Sequence, residues 1–173
     1  TKEELDVINN WRVKEFNSKP LWGPTSLKAF GDSEVFMLKK EDSPQILAFA
    51  RLRPIEIWVG AKSYPIWGLG AVVAISKGQG FGRTLISNIQ NFSVENSMPI
   101  VGFCNDEVIN FYKKCGFSIM QNGTDSFVYI DHNDKENKSK EIQNAIYYPV
   151  DNQILKLLKE TPGLTFRHYV PHW

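Results

Sequence analysis

The segment AVVAISKGQGFGRTLI, residues 71–86, constrains this chain more than any other stretch: an apolar run enters a turn with glycine at positions 78, 80 and 82 and leaves it directly as a helical pattern. Alternate glycines let backbone approach another group with no Cβ in the way, and a helix starting at once leaves its first N–H groups unpaired and outward. Those N–H groups and the helix dipole act at one spot in the same sense, so the turn favours an anion such as phosphate or pyrophosphate. Arg83 and Lys77 supplement that field. A strand, a glycine turn, a helix and a second strand also make a βαβ unit, whose strands are expected to be parallel and adjacent or nearly so.

Around this unit the periodicity changes twice. Leu5, Ile8, Trp11 and Phe16 recur at a spacing near 3.6 and predict an amphipathic helix over residues 2–18, with Thr1 and Glu4 as its capping box. Residues 18–33 mix Pro20, Gly23, Pro24 and Gly31 with Leu21, Trp22, Leu27 and Phe30 and read as a loop with buried aromatics. From Glu34 the pattern is that of three antiparallel strands, EVFMLKK, QILAFARLRPIEIWV and YPIWGLGAVVAI, joined by EDSP and by the hairpin connection GAKS. A helix over residues 82–96 and a short buried strand, PIVGFC, complete the βαβ unit. Residues 105–115 predict a second helix, capped by Asn105 or Asp106 and stopped by Gly116, with strand FSIM behind it. Strands SFVYI and AIYYPV follow, separated by DHNDKENKSKEIQN, which has one strongly apolar residue, Ile142, and is expected to be a mobile hairpin connection. A helix over 151–160 and the aromatic tail LTFRHYVPHW end the sequence.

Size and charge narrow the function classes. At 173 residues the chain is expected to be a single domain, 1–173. Twenty basic against nineteen acidic side chains give a net charge of +1, which offers no long-range attraction to nucleic acid or to an anionic membrane. The longest apolar runs fall far short of the roughly 20 residues a membrane helix needs, and TKEELDVINNWRVKEF has charges where a signal peptide has its apolar core. A cytoplasmic location is the resulting expectation. Cys104 and Cys115 lack CxxC spacing, so they are read as core thiols, with no disulfide framework and no metal site.

Three nucleotide-binding patterns compete for the glycine turn. A P-loop requires Gly-Lys-Ser/Thr four residues after an earlier glycine, and Gly82-Arg83-Thr84 with lysine at 77 does not supply it. The dinucleotide fingerprint needs a third glycine where Arg83 stands, although Asp106 after the next strand imitates the ribose-binding acid. The third pattern is met by Lys77, Gly78, Gln79, Gly80, Phe81 and Gly82, which resemble the Q/R-x-x-G-x-G/A signature of the GNAT N-acetyltransferase superfamily, with lysine first. A second block, NDEVINFYKKCGF from Asn105 to Phe117, resembles that superfamily's N-x-x-A-x-x-x-Y helix, with Val108 in the alanine position. The specific likeness covers residues 64–119; the long hairpin and Trp173 carry a fainter similarity to aminoglycoside 2'-N-acetyltransferases.

The resemblance implies an α/β fold with a mixed, mostly antiparallel sheet splayed at its middle and flanked by helices. It implies acetyl-CoA as cofactor, its pantetheine arm against backbone near Gly70, Ala71 and Val72, and its pyrophosphate on the amides of Gly78 to Arg83. Asn105 would hydrogen-bond the cofactor or simply cap its helix, and Tyr112 would protonate the departing thiolate. The activity implied is acetyl transfer to the primary amine of a small molecule; a peptide or protein amine and a non-catalytic acyl-CoA sensor are the alternatives. The acid expected on the strand before the turn is missing, because Gly68 stands near that position. Glu56 is the substitute, with His168, His172 and the C-terminal carboxylate as weaker candidates for the base. Aromatics in the tail suggest a homodimer.

Overall fold

Two long strands, β2 (Ile46–Val59) and β3 (Lys62–Ala74), form the spine of the molecule, turning through Gly60 and Ala61 with Gly60 at φ 60°. The computed structural model describes residues 1–16, 32–130, 133, 135–138, 143–149, 152–160 and 165–168. Helix α1 (Lys2–Phe16) begins as its capping box predicts: the Glu4 N–H donates to Thr1 Oγ1 at 3.3 Å. The Glu4 carboxylate accepts from Lys39 at the end of β1 (Glu34–Lys39) and from the N-terminal ammonium, which hold its pKa down at about 2.

The remaining elements are α2 (Phe81–Glu95), β4 (Ile100–Cys104), α3 (Ile109–Lys114), β5 (Ser118–Met120), β6 (Phe127–Ile130), β7 (Glu136–Lys138), β8 (Asn144–Tyr148), α4 (Gln153–Glu160) and β9 (Phe166–His168). They join one sheet in the order β5-β8-β4-β3-β2-β9-β6-β7, with β1 also on β2. The free edge of β2 is shared: β1 pairs with residues Ile46 to Leu52, β9 with Ile57 and Trp58. This is the mixed α/β sheet expected from the sequence. Among the described residues, no helix is long and apolar enough to cross a membrane.

Side-chain alternation gives the sheet two different faces. Ala48, Ala50, Leu52, Trp67, Leu69, Ile100, Cys104 and Ile146 bury themselves against Leu85, Ile86 and Ile89 of α2 and Tyr112 of α3. On the opposite face Phe49 and Val73 pack on Ile8 of α1, and a separate cluster gathers Ile55, Ile57, Ile66, Val101, Phe127, Tyr147 and Phe166.

Four elements differ from the sequence reading. The helix expected over 105–115 is two pieces, a 3-10 turn (Asp106–Val108) and α3, because Asp106 is tied to β8 by Asn144 Nδ2, which donates to Asp106 Oδ1 at 2.8 Å. The polar stretch after β6 contains β7, paired with β6 through Val128–Lys138, so part of it is ordered by a sheet edge without any core of its own. The hairpin expected between SFVYI and AIYYPV does not form; β8 is inserted between β4 and β5. Its residues Asn144 to Tyr147 are all buried, the signature of a strand covered on both faces and not of an alternating edge hairpin. Finally, part of the aromatic tail is strand β9, with Phe166 fully buried, which removes that residue from any dimer surface. The expectations for Trp22, His172, Trp173 and the C-terminal carboxylate lie outside the described residues.

Candidate active site

The opening between β3 and β4 is built by one extra residue. From Phe49 to Arg51, β2 advances two positions while β3 goes back three, from Val73 to Gly70, so β3 bulges at Ala71 and Val72. Ala71 takes φ 53°, the left-handed conformation a bulge of this kind asks for. A bulge bends and twists its strand, and this one lies where β3 leaves β4. The parallel pairing covers only Trp67–Ile100, Gly68–Val101 and Leu69–Gly102. Beyond it β3 continues to Ala74 and β4 to Cys104 with no pairing between them. At the root of this fork a Cβ on Gly102 would stand 2.9 Å from the Leu69 carbonyl oxygen, so the two backbones approach as closely as glycine allows.

Above the fork stands the glycine turn. Gly78 and Gly80 have φ of 83° and 82°, and a Cβ on either would meet nothing within 4 Å. Gly80 is the N-cap of α2 and gives no side-chain cap; the first intrahelical bond is Thr84 N–H to Gly80 O at 3.0 Å. Among the described residues, no group accepts the N–H of Gly80, Phe81, Gly82 or Arg83. The turn is therefore open, glycine-lined and rich in unpaired donors at the positive end of a 15-residue helix. Gly82 has another reason to be glycine: a Cβ there would come within 3.3 Å of the Phe111 ring, so it lets the first turn of α2 rest on α3. Arg83 and Gln79 are exposed, Phe81 packs partly into the core, and Lys77 reaches Glu15 of α1 at 3.5 Å while staying largely in solvent.

At the β4 side of the fork Cys104 and Tyr112 share one core cluster. Tyr112 is buried, with Phe111 and Phe117 edge-on to its ring at 5.1 and 5.6 Å. Burial drives its pKa well above that of a free tyrosine, with Cys104 and Cys115 adding to the effect. Burial, helped by Asp106, pushes the Cys104 thiol up to about 11; the Cys115 thiol is raised by burial and pulled back by Arg83. All three groups are therefore protonated at neutral pH. Asn105 is exposed, with extended backbone at φ −78° and ψ 171°, and its side chain makes no capping bond, so capping does not account for it.

The candidate bases fall elsewhere. Glu56 is exposed and lies opposite Pro65, five residues along β3 from Gly70, or about 17 Å at the strand rise. Its neighbours Ile55 and Ile57 turn into the core, which sends Glu56 to the other face. His168 is buried on β9 opposite Ile57, beside the Tyr129 ring at 5.9 Å. Sequence reasoning also passed over Arg51 and Arg53, the two positive charges of β2, in register with Gly70 and Gly68. The available signal was the string ARLR, two arginines at strand spacing where a buried strand has apolar residues.

Comparison with known proteins agrees with this geometry. Residues 5–117 match the Acetyltransferase (GNAT) family, and the chain belongs to that family. Among solved structures it resembles ElaA from Escherichia coli at 18% identity, covering 86% of this chain and 92% of that one, with a TM-score of 0.56. An acyl-CoA N-acyltransferase from Pseudomonas aeruginosa matches at 18% identity over the same shares, 86% and 92%, with a TM-score of 0.53. A probable N-acyltransferase of unknown function from Enterococcus faecalis matches at 11% identity, over 97% of this chain and 63% of that one, with a TM-score of 0.56. At such identities the likeness concerns the fold. A search of curated proteins returned no match.

Proposed function

We propose that this chain transfers an acetyl group from acetyl-CoA to the primary amine of a small molecule by direct attack of the amine. The observation that carries this reading is the fork between β3 and β4 directly below an open glycine turn, both within one strand–turn–helix–strand unit. The backbone of Gly70, Ala71 and Val72, past the last β3–β4 pair, would take the amides of the pantetheine arm. The N–H groups from Gly78 to Arg83 would take the pyrophosphate, with Lys77 and Arg83 adding charge and Gln79 and Phe81 lining the turn. Asn105, free of capping duty, would bond the cofactor at the mouth of the fork. When bound, acetyl-CoA supplies an acyl group already activated as a thioester.

Tyr112 is the acid in this scheme. Tyr112 would give its hydroxyl proton to the departing sulfur, and burial, which raises its pKa, keeps that proton on the hydroxyl at neutral pH. Glu56 stands opposite Pro65, about 17 Å along the strand from Gly70, and by alternation shares the sheet face of Ala50 and Leu52. Among the described residues, β2 and β3 hold no acid besides Glu56, so the amine would arrive neutral, and the proton its nitrogen sheds as the amide forms would pass to water while water restores the Tyr112 hydroxyl.

Calorimetric titration with acetyl-CoA, with NAD as control, tests the cofactor: saturable binding of acetyl-CoA alone is expected, and silence would end the proposal. Tyr112→Phe is expected to keep that affinity and to lower kcat about 10²-fold. An unchanged kcat would remove Tyr112 from the mechanism. Tight binding with no thioester loss across a broad amine panel would favour a sensor, a reading that the missing strand acid alone supports.

A further inference from the structure

On the face of the sheet opposite α2, the core is interrupted beside the fork. Ala50, Leu52 and Leu69 point toward α2, so alternation sends Arg51 and Arg53 of β2 to the other face, next to Gly70 and Gly68 of β3. Above this patch Phe49 and Val73 pack under α1; below it Ile55 and Ile66 begin the second cluster. Between those pairs β2 and β3 offer that face Arg51, Arg53, Gly68 and Gly70, with Ala71 at the end nearest α1 as the one apolar side chain. Gly68 is also paired with Val101 at the root of the fork, and Gly70 is the first residue past the last β3–β4 pair. The patch therefore adjoins the opening on the side away from the α2 layer.

Among the described residues, no acidic side chain pairs with the charges of this patch. Arg51 is partly buried, and its buried Nε has no hydrogen-bond partner among the described residues. Burial disfavours the charged form of Arg51, and the like charges of Arg53 and of Arg12 on α1 disfavour it further. A desolvated guanidinium among like charges costs stability unless an anion reaches it, and the planar guanidinium matches carboxylate and phosphate through paired N–H donors.

We propose that the acceptor amine carries its own anionic group, a carboxylate or a phosphate, and that Arg51 and Arg53 hold that group on the face opposite α2 while the amine reaches into the fork. This rests on the acetyl-transfer reading above and specifies its substrate. A polycation such as an aminoglycoside is the acceptor this patch would repel.

The test uses matched acceptors: β-alanine against its amide, and 2-aminoethyl phosphate against 2-aminoethanol. The anionic member of at least one pair is expected to show a kcat/KM at least tenfold higher, and which pair responds separates carboxylate from phosphate. Arg51→Gln and Arg53→Gln should each reduce that ratio at least tenfold, mainly through KM, with acetyl-CoA affinity retained. The melting temperature of Arg51→Gln is expected to equal or exceed that of the parent, because an unpaired charge is relieved; a purely structural arginine would lower it. The protein, both alone and in the presence of CoA, should also bind propionate or inorganic phosphate, and both substitutions should weaken that binding. Equal kcat/KM within both pairs, with acetyl-CoA bound, would overturn this inference and leave acetyl transfer standing. Failure to bind acetyl-CoA would overturn acetyl transfer instead, and the patch is then decided by the anion titrations: silence, or binding that survives both substitutions, overturns it.

Discussion

Gly78, Gly80 and Gly82 look alike in the sequence and do different work. Gly80, at φ 82° with open space where a Cβ would go, keeps both a left-handed conformation and an unobstructed approach. Gly82 instead makes room for Phe111. Gly80→Ala is accordingly expected to cost about 1–2 kcal/mol in stability, from the backbone alone. It should also weaken acetyl-CoA binding at least tenfold, since the new methyl faces the ligand. Thermal melting and calorimetry on the same sample check both, and unchanged affinity would mean that the ligand does not approach this turn. The turn and the helix that leaves it were legible from glycines at alternate positions, and so was the place of Tyr112 on a helix that ends before Gly116. Arg51 and Arg53 were not, because a lone sequence does not say which face of a strand is covered; only the register with Gly70 and Gly68 reveals that they share a patch.

Among the elements, the β3–β4 fork decides what this sheet can do. Its root depends on Gly102, where a Cβ would stand 2.9 Å from the Leu69 carbonyl, a backbone atom that cannot swing aside. Gly102→Ala should therefore force the strands apart at their last pair and lower stability by about 1–3 kcal/mol, the scale of overpacking. Chemical denaturation measures this, and a neutral result would show that the strands are already loosely joined there. Periodicity found β1, β2, β3, α2 and β4 because each repeats its pattern over enough residues. The bulge escaped notice because Ala71 adopts φ 53° at a position where glycine is the usual marker. The 3-10 turn escaped because its cause, the bond from Asn144 to Asp106, comes from 38 residues away.

At the scale of the whole molecule, the sheet is completed by β9, three residues long, paired antiparallel to β2 and parallel to β6. Phe166 is fully buried there and stacks on Phe127 at 5.3 Å. Phe166→Ala is expected to cost about 3–5 kcal/mol, the usual loss for a large core aromatic, and a melting temperature within a degree of the parent would show that β9 is dispensable. Strand order is what local patterns encode least: nothing in SFVYI, AIYYPV or LTFRHY states that the second enters between β4 and β5 while the third lies beside the first. The fold class was readable nonetheless, since the βαβ unit and the three strands before it leave few arrangements open.

The fork has one more consequence. Where β3 and β4 part, the middle of the sheet acquires two edges, each with backbone groups that no neighbouring strand takes. Bare edges at the rim of a sheet recruit copies of the same chain and lead to aggregates. Here they face each other inside the molecule, joined at the root by three pairs and flanked by α2. A surface of unsatisfied backbone, which a ligand can read, is thus kept away from the contacts through which proteins clump.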